Sequence, residues 1–444
     1  MKKFLTLLLT VLIGTLLVHN AYAGGPPPKN VIKGIFTQLD PATNTAKIHV
    51  DGHDELRTLA LGEGMTIDDI ILDKKVMVSL DPHAGPNVIK EVSLMFFDMT
   101  ITKVVALLIV GLIGGLLSGF IGSGGAFVLT PAMMSLGAPG AVAVASNMCH
   151  KFPKAMVGTY KRWKYGQVDI KLGLVMAATA IVGVQIGIKV QKIILDHWGN
   201  AGSNLYVSVV FVLVLVVVGA YVLRDALKSS KGNIEAKTSK LALYLQKIEV
   251  WPMMEFKVAN VRISAWVTVP VGLFTGMLAA TIAVGGFIGV PGMIYVVGAS
   301  AMVASATELL VAFIMGAWGS VQWGMAGLID IRMTLLILAG SLIGVQLGAL
   351  GTTYVKDHTI KLVMAAVMLI VAVSRGAKVP GYLADLDLIP HLQHQFSVVL
   401  NSISFWALIA ALGVAAIIIS VAMINGMLQD RAEKQVHTVQ EAAG

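Results

Sequence analysis

The residues best equipped for chemistry lie in one short run, Ser146-Asn147-Met148-Cys149-His150-Lys151-Phe152-Pro153-Lys154, midway along an apolar stretch from Ala141 to Tyr160. A lysine at the centre of a bilayer costs on the order of 3 kcal/mol, so Lys151 and Lys154 must face a cavity or a partner rather than lipid. Ser146 and Asn147 add hydrogen-bonding groups and His150 a potential proton relay, while Pro153 breaks a backbone hydrogen bond and can bare a carbonyl nearby. Further along, Glu308 follows Thr307 in a second apolar stretch. Glu308 is a candidate counter-charge to Lys151 or Lys154, and a candidate protonatable group for coupling to a proton gradient. The plainer alternatives are a structural Lys–Glu pair and a histidine that is merely hydrogen-bonded.

Two glycine clusters sit beside these runs. Gly122-Ser123-Gly124-Gly125 interrupts an apolar segment that ends in Pro131, and Gly285-Gly286 interrupts another that ends in Pro291. Glycines here permit unwound backbone, and a helix restarting after them presents free N–H groups and a positive dipole end suited to an anion. Small residues of this kind also serve close helix packing. The candidate substrate-binding set is therefore Gly122, Ser123, Gly124, Gly125, Ser146, Asn147, Lys151, Lys154, Gly285, Gly286 and Thr307, with Glu308 and His150 for coupling.

The elements that must position these groups repeat. Asp169-Ile170 matches Asp330-Ile331 at an offset of 330 minus 169, or 161, and the same offset carries Gly111 onto Gly272, Gly115 onto Gly276, Gly124-Gly125 onto Gly285-Gly286 and Asn147 onto Glu308. Gly166 falls on Gly327, and Gly183-Val184-Gln185 on Gly344-Val345-Gln346. Each copy holds about five apolar segments, the second of them short. An odd number of crossings would turn the copies upside down relative to each other. The basic Lys161, Arg162 and Lys164 follow the third span of the first copy, whereas Gln322 to Leu328 in the second has no Lys or Arg. By the positive-inside tendency the first loop is cytoplasmic and the second external, with Lys189 and Lys192 against the trend. The paired glutamines Gln185 and Gln346 are expected to hydrogen-bond between helices.

Composition agrees with a membrane class: of 444 residues, 56% are hydrophobic and only 13% charged, against about a quarter charged in soluble domains. The net charge of +8 is spread over loops beside apolar spans, which points to lipid headgroups and topology rather than nucleic acid. One cysteine excludes an internal disulfide and a multi-cysteine metal site; no cofactor is expected. Lys2-Lys3, an apolar run and Ala21-Tyr22-Ala23 read as a signal peptide over residues 1–23. Residues 24–100 carry β-like runs at Val31 to Gln38, Ala46 to Val50, Lys75 to Leu80 and Asn87 to Leu94, separated by turn residues. His53 and His83 there read as solvated.

The expected fold is an all-α polytopic membrane protein of two inverted-topology repeats plus one C-terminal span, with a small N-terminal all-β extracytoplasmic domain at 24–100. Repeat one covers 101–224, a cytoplasmic connector 225–262, repeat two 263–375, an extracytoplasmic loop 376–401, the final span 402–427 and a cytoplasmic tail 428–444. No nucleophile with a base, metal-ligand set or P-loop is visible, so an enzyme is not expected. The function expected is secondary transport of a small anion across the cell inner membrane. A membrane-anchored scaffold presenting a periplasmic partner-binding domain is the alternative, and a homo-oligomer is left open.

The glycine-rich segments ending in proline, the Ser146-Asn147 and Thr307-Glu308 helices, Tyr160-Lys161-Arg162 and Gly166-x-x-Asp169 together resemble the sulfite exporter TauE/SafE family, also called the toluene-sulfonate uptake permease family, over about residues 104–375. The resemblance implies transport of sulfur-containing anions such as sulfite or sulfonates. Two departures stand out: Ala126 and Phe287 replace a third glycine, and Cys149-His150-Lys151 makes this helix unusually polar. The N-terminal domain lies outside the resemblance.

Overall fold

The computed structural model describes residues 31–50, 56–81, 84–85, 87–94, 99–122, 125–231, 239–355, 357–390 and 392–443. The expected signal peptide, His53, His83, Ser123 and Gly124 lie outside the described residues.

The N-terminal domain is a closed barrel of five strands, β1 (Val31–Asp40), β2 (Thr45–Val50), β3 (Leu56–Leu61), β4 (Lys75–Leu80) and β5 (Val88–Leu94), in the order β1-β2-β3-β5-β4. Every pairing is antiparallel except β3 with β5, the Greek-key plan of OB-type barrels. Alternation at period two builds its core: Ala46, Ile48 and Val50 point inward from β2 and meet Phe36, Leu59, Val76, Val78 and Ile89. Four runs were legible in the sequence; the fifth strand, β3, has only Thr58 among its residues as a β-former and was missed.

The remainder is mostly helical. In order come α1 (Ile101–Ile121), α2 (Ala126–Ser135), α3 (Gly140–Lys164), α4 (Ile170–Lys231), α5 (Lys240–Leu245), a hairpin of β6 (Met253–Phe256) and β7 (Val261–Ser264), α6 (Ala265–Ile282), α7 (Gly286–Gly292), whose path continues as a π turn over Met293–Val297, α8 (Ala301–Met325), α9 (Ile331–Gly351), α10 (Asp357–Gly376), α11 (Val379–Asp385) and α12 (His394–Ala443). Among the described residues seven helical stretches are long and apolar enough to cross a membrane. One of them, in α4, is too long for a single crossing of a roughly 30 Å core and bends at Gly199, where φ is 61° and ψ −154°. The final helix begins at His394, earlier than the expected 402, and runs on through the expected tail; the loop before it contains α11.

Glycine faces set the closest packing. A Cβ at Gly111, Gly115 or Gly119 of α1 would strike the backbone of Ile337, Ser341 or Val345 in α9, and one at Gly340, Gly344 or Gly348 of α9 would strike the backbone of α1. The same relation joins α4 and α6: Gly272 and Gly276 meet Met176 and Ala180, while Gly183 and Gly187 meet Leu273 and Met277. Only glycine lets two backbones approach this closely along a run of turns. Left-handed backbone recurs at matching places too, at Gly122 (φ 78°) and Ala283 (61°), Gly137 (102°) and Gly298 (99°), and Gly166 (69°) and Gly327 (66°). Gln346, by contrast, is exposed and bonds only to Leu342 of its own helix, so the expected contact between helices is absent there.

The barrel is seated on one end of the bundle. Lys33 Nζ donates to the Ala326 carbonyl at 3.3 Å, Lys90 pairs with Asp387 at 3.4 Å, and Ser79 lies against Gly199 at the α4 bend.

Candidate functional site

The α3 and α8 helices cross in the interior. Phe152 and Met148 of α3 fill the space left by Gly316 and Gly319 of α8. This enclosure buries Asn147, His150, Lys151 and Lys154 on α3 and Thr307 and Glu308 on α8 completely. Unlike a lipid-facing helix, α3 can carry such residues because protein surrounds it.

A chain of hydrogen bonds orients the polar run. Asn147 Nδ2 donates to Thr130 Oγ1 of α2 at 2.8 Å, which turns Asn147 Oδ1 toward His150 Nδ1, 3.0 Å away. The Asn147 carbonyl lies 3.2 Å from the same nitrogen. With acceptors on that side, the proton belongs on Nδ1, leaving His150 Nε2 as a lone-pair acceptor. His150 Nε2 has no hydrogen-bond partner, and the same holds for Lys151 Nζ and both carboxylate oxygens of Glu308. Lys151 and Glu308 are within electrostatic reach of each other. Buried polar atoms are rarely left so, and these four lie on one pair of crossing helices.

The two short helices close on this crossing. Glu308 lies against α7 where Gly289 has no side chain, and a Cβ there would strike its carboxylate. Thus α2 touches Asn147 through Thr130, and α7 touches Glu308 through Gly289. Phe127 of α2 and Phe287 of α7 meet edge to face, with ring centroids 4.2 Å apart. Before each short helix the chain turns through a left-handed residue, Gly122 or Ala283. Gly125, itself left-handed, is the uncapped N-terminus of α2; Gly285 precedes α7 with no side-chain cap and Gly286 is its first residue.

Ser146 and Thr307 do something not foreseen. Ser146 Oγ accepts the backbone N–H of Asp330 at 2.9 Å, and Thr307 Oγ1 accepts that of Asp169 at 3.0 Å. The carboxylates of Asp169 and Asp330 then cap α4 and α9, accepting from Leu172 and from Arg332 and Met333. The repeated Gly-x-x-Asp is therefore a turn and a helix cap, fastened to the opposite helix by a hydroxyl.

Arg162 was read as part of a basic loop, yet it is fully buried. Its guanidinium donates to the carbonyls of Gly119 (3.0 Å) and Met302 (2.7 Å) and to Ser305 Oγ (2.8 Å), tying the end of α1 to the start of α8. Its position eleven residues after Lys151, on the same helical face, was a usable signal. Arg375, at the end of α10, is also buried and donates to Ser135 of α2 and Ser404 of α12 at 3.0 and 3.3 Å. Among the described residues no group of three or more His, Cys, Asp or Glu side chains could hold a metal ion.

The family described as "Sulfite exporter TauE/SafE" matches residues 107–375, the span that holds both short helices and the α3–α8 crossing. Similar curated proteins include three from Bacillus subtilis (strain 168). "Probable membrane transporter protein YdhB" is 22% identical over 253 residues, 56% of this chain and 89% of that protein. "Probable membrane transporter protein YjnA" is 21% identical over 60% of this chain and 97% of its own length, and "Probable membrane transporter protein YunE" is 25% identical over 60% and 95%. No solved structure matches the chain. The barrel lies before the matched span, so the shared part is the helical bundle, and with more than half of its length inside that match this polytopic membrane protein belongs to the sulfite exporter TauE/SafE family.

Proposed function

We propose that the chain is a secondary transporter of small anions, sulfur oxyanions such as sulfite or sulfonates being the substrate class, with the α3–α8 crossing as its binding site. The observation that carries this reading is the Lys151 ammonium, fully buried and without a hydrogen-bond partner, beside a Glu308 carboxylate in the same condition. An oxyanion between Lys151 and the start of α2 would supply the acceptor that the ammonium lacks and face a helix N-terminus without a side-chain cap. Lys154 lies one turn further along the same face, also fully buried. Glu308 and His150 Nε2, both able to take up a proton, are suited to coupling, since a neutral Glu308 relieves repulsion of the incoming anion. The family's description supports the sulfur class, and this step is one of analogy.

The transport mechanism rests on two inverted copies. Several observations support it: the 161-residue spacing of left-handed residues, the exchange of partners between α1 with α9 and α6 with α4, and the paired fastenings Ser146 to Asp330 and Thr307 to Asp169. Rocking of one copy against the other around the crossing would expose the site to each side in turn. In this arrangement the barrel, Gly199, Ala326 and Asp387 are extracytoplasmic in the cell inner membrane, while Lys161, Lys164 and the connector are cytoplasmic. A titration of purified protein with sulfite, thiosulfate, a sulfonate and sulfate tests the reading. Saturable binding of at least one anion, lost in Lys151→Gln, is expected; no binding of any of them would refute the substrate class.

A further inference from the structure

On the flank of the bundle a groove of about 270 Å3 opens between α3, α8 and the start of α4. Met156 and Val168 are its buried lining, Leu310 and Phe313 are half-buried, and Ile170 is exposed at the edge. Inside the mouth the lining holds one hydroxyl, Thr159, which donates to Ala155 of its own helix at 2.7 Å, so the inner wall is apolar. Such a surface suits a hydrocarbon chain.

The mouth is of a different character. Tyr160 and Trp163, each about half exposed, stand where α3 ends, and aromatic residues of this kind belong at headgroup depth. Lys164 sits over the Tyr160 ring with its ammonium 4.7 Å from the centroid, and Lys161 lies one turn of sequence before it. The acid nearest in sequence, Asp169, is turned inward, its carboxylate accepting from Leu172, Val258 and Ala259. An apolar slot between the helices that ends in aromatics and two lysines, Lys161 half-buried and Lys164 exposed, has the charge order of one kind of molecule.

We propose that this groove is a binding site for an anionic phospholipid, one acyl chain lying along Met156, Leu310 and Phe313 and the phosphate held at Lys161 and Lys164. The occupant braces the same two helices that carry Lys151 and Glu308. The proposal depends on the spanning bundle and not on the nature of the transported solute.

The test uses full-length protein, delipidated in detergent, with phosphatidylglycerol, phosphatidylcholine and glycerol phosphate as probes, read by native mass spectrometry and by thermal midpoint. Phosphatidylglycerol is expected to stay bound and to raise the midpoint, with the other two weaker. Lys161→Glu with Lys164→Glu should abolish the preference for phosphatidylglycerol, and Leu310→Trp, which fills the slot, should displace the lipid. Should Leu310→Trp fail to fold, the double lysine variant decides alone. Equal effects of the two phospholipids, an equal response to glycerol phosphate, or retention of the preference in the double lysine variant would each overturn the proposal.

Discussion

Lys151 and Arg162 sit three turns apart on one helix, both fully buried, yet their surroundings divide them. The two terminal nitrogens of Arg162 donate to carbonyls and a hydroxyl of α1 and α8, which makes it a fastening; Lys151 Nζ has no hydrogen-bond partner, the condition on which the proposed binding role rests. Arg162→Met is therefore expected to cost at least one hydrogen bond to a charged group, about 1.5–3 kcal/mol, and to lower the thermal midpoint of the purified protein. Glu308→Gln leaves size unchanged and removes a titratable carboxyl. Its expected outcome is anion flux that no longer responds to an imposed pH gradient, measured in liposomes; an unchanged response would take Glu308 out of the coupling step. The polar run from Ser146 to Lys154 was legible because charges inside an apolar stretch stand out. The inward turn of Arg162 was carried by its eleven-residue spacing from Lys151 on one helical face, but a reading of the Lys161-Arg162-x-Lys164 cluster by charge alone passes over it.

At the scale of the element, glycine decides how the helices meet. Gly115 and Gly276 each face a partner's backbone that cannot give way, so Gly115→Val and Gly276→Val should each lose roughly 1–3 kcal/mol through overpacking. Gly413 in α12 has nothing within 4 Å of an added Cβ. Gly413→Ala is thus expected to leave the thermal midpoint of the purified protein unchanged or slightly raised, in contrast with the other two. The repeating glycines were visible in the sequence as a pattern, but their partners were not. That α1 packs on α9 rather than on the helix related to it by the repeat follows from three-dimensional closure of the bundle. For the same reason the hydroxyls of Ser146 and Thr307, expected only at a binding site, proved to hold helix starts from the opposite half.

For the whole molecule the claim is of two copies upside down relative to each other, with a barrel seated on the outer end. Single cysteines replacing Trp163 and Gly324, labelled from one side of sealed vesicles, should react from opposite sides; labelling from the same side would refute the inversion. The Lys90–Asp387 pair at the barrel seat is exposed, so Lys90→Glu should change stability by less than about 1 kcal/mol. The most direct test of the account is flux of sulfite, or of whichever sulfur oxyanion binds best, into liposomes carrying wild-type protein or Lys151→Ala. Loss of one charged hydrogen bond to the solute, about 1.5–3 kcal/mol, corresponds to roughly tenfold to hundredfold weaker binding, and the account predicts a fall in initial rate of that order at subsaturating anion, with both proteins folded and inserted alike. Equal rates would contradict it.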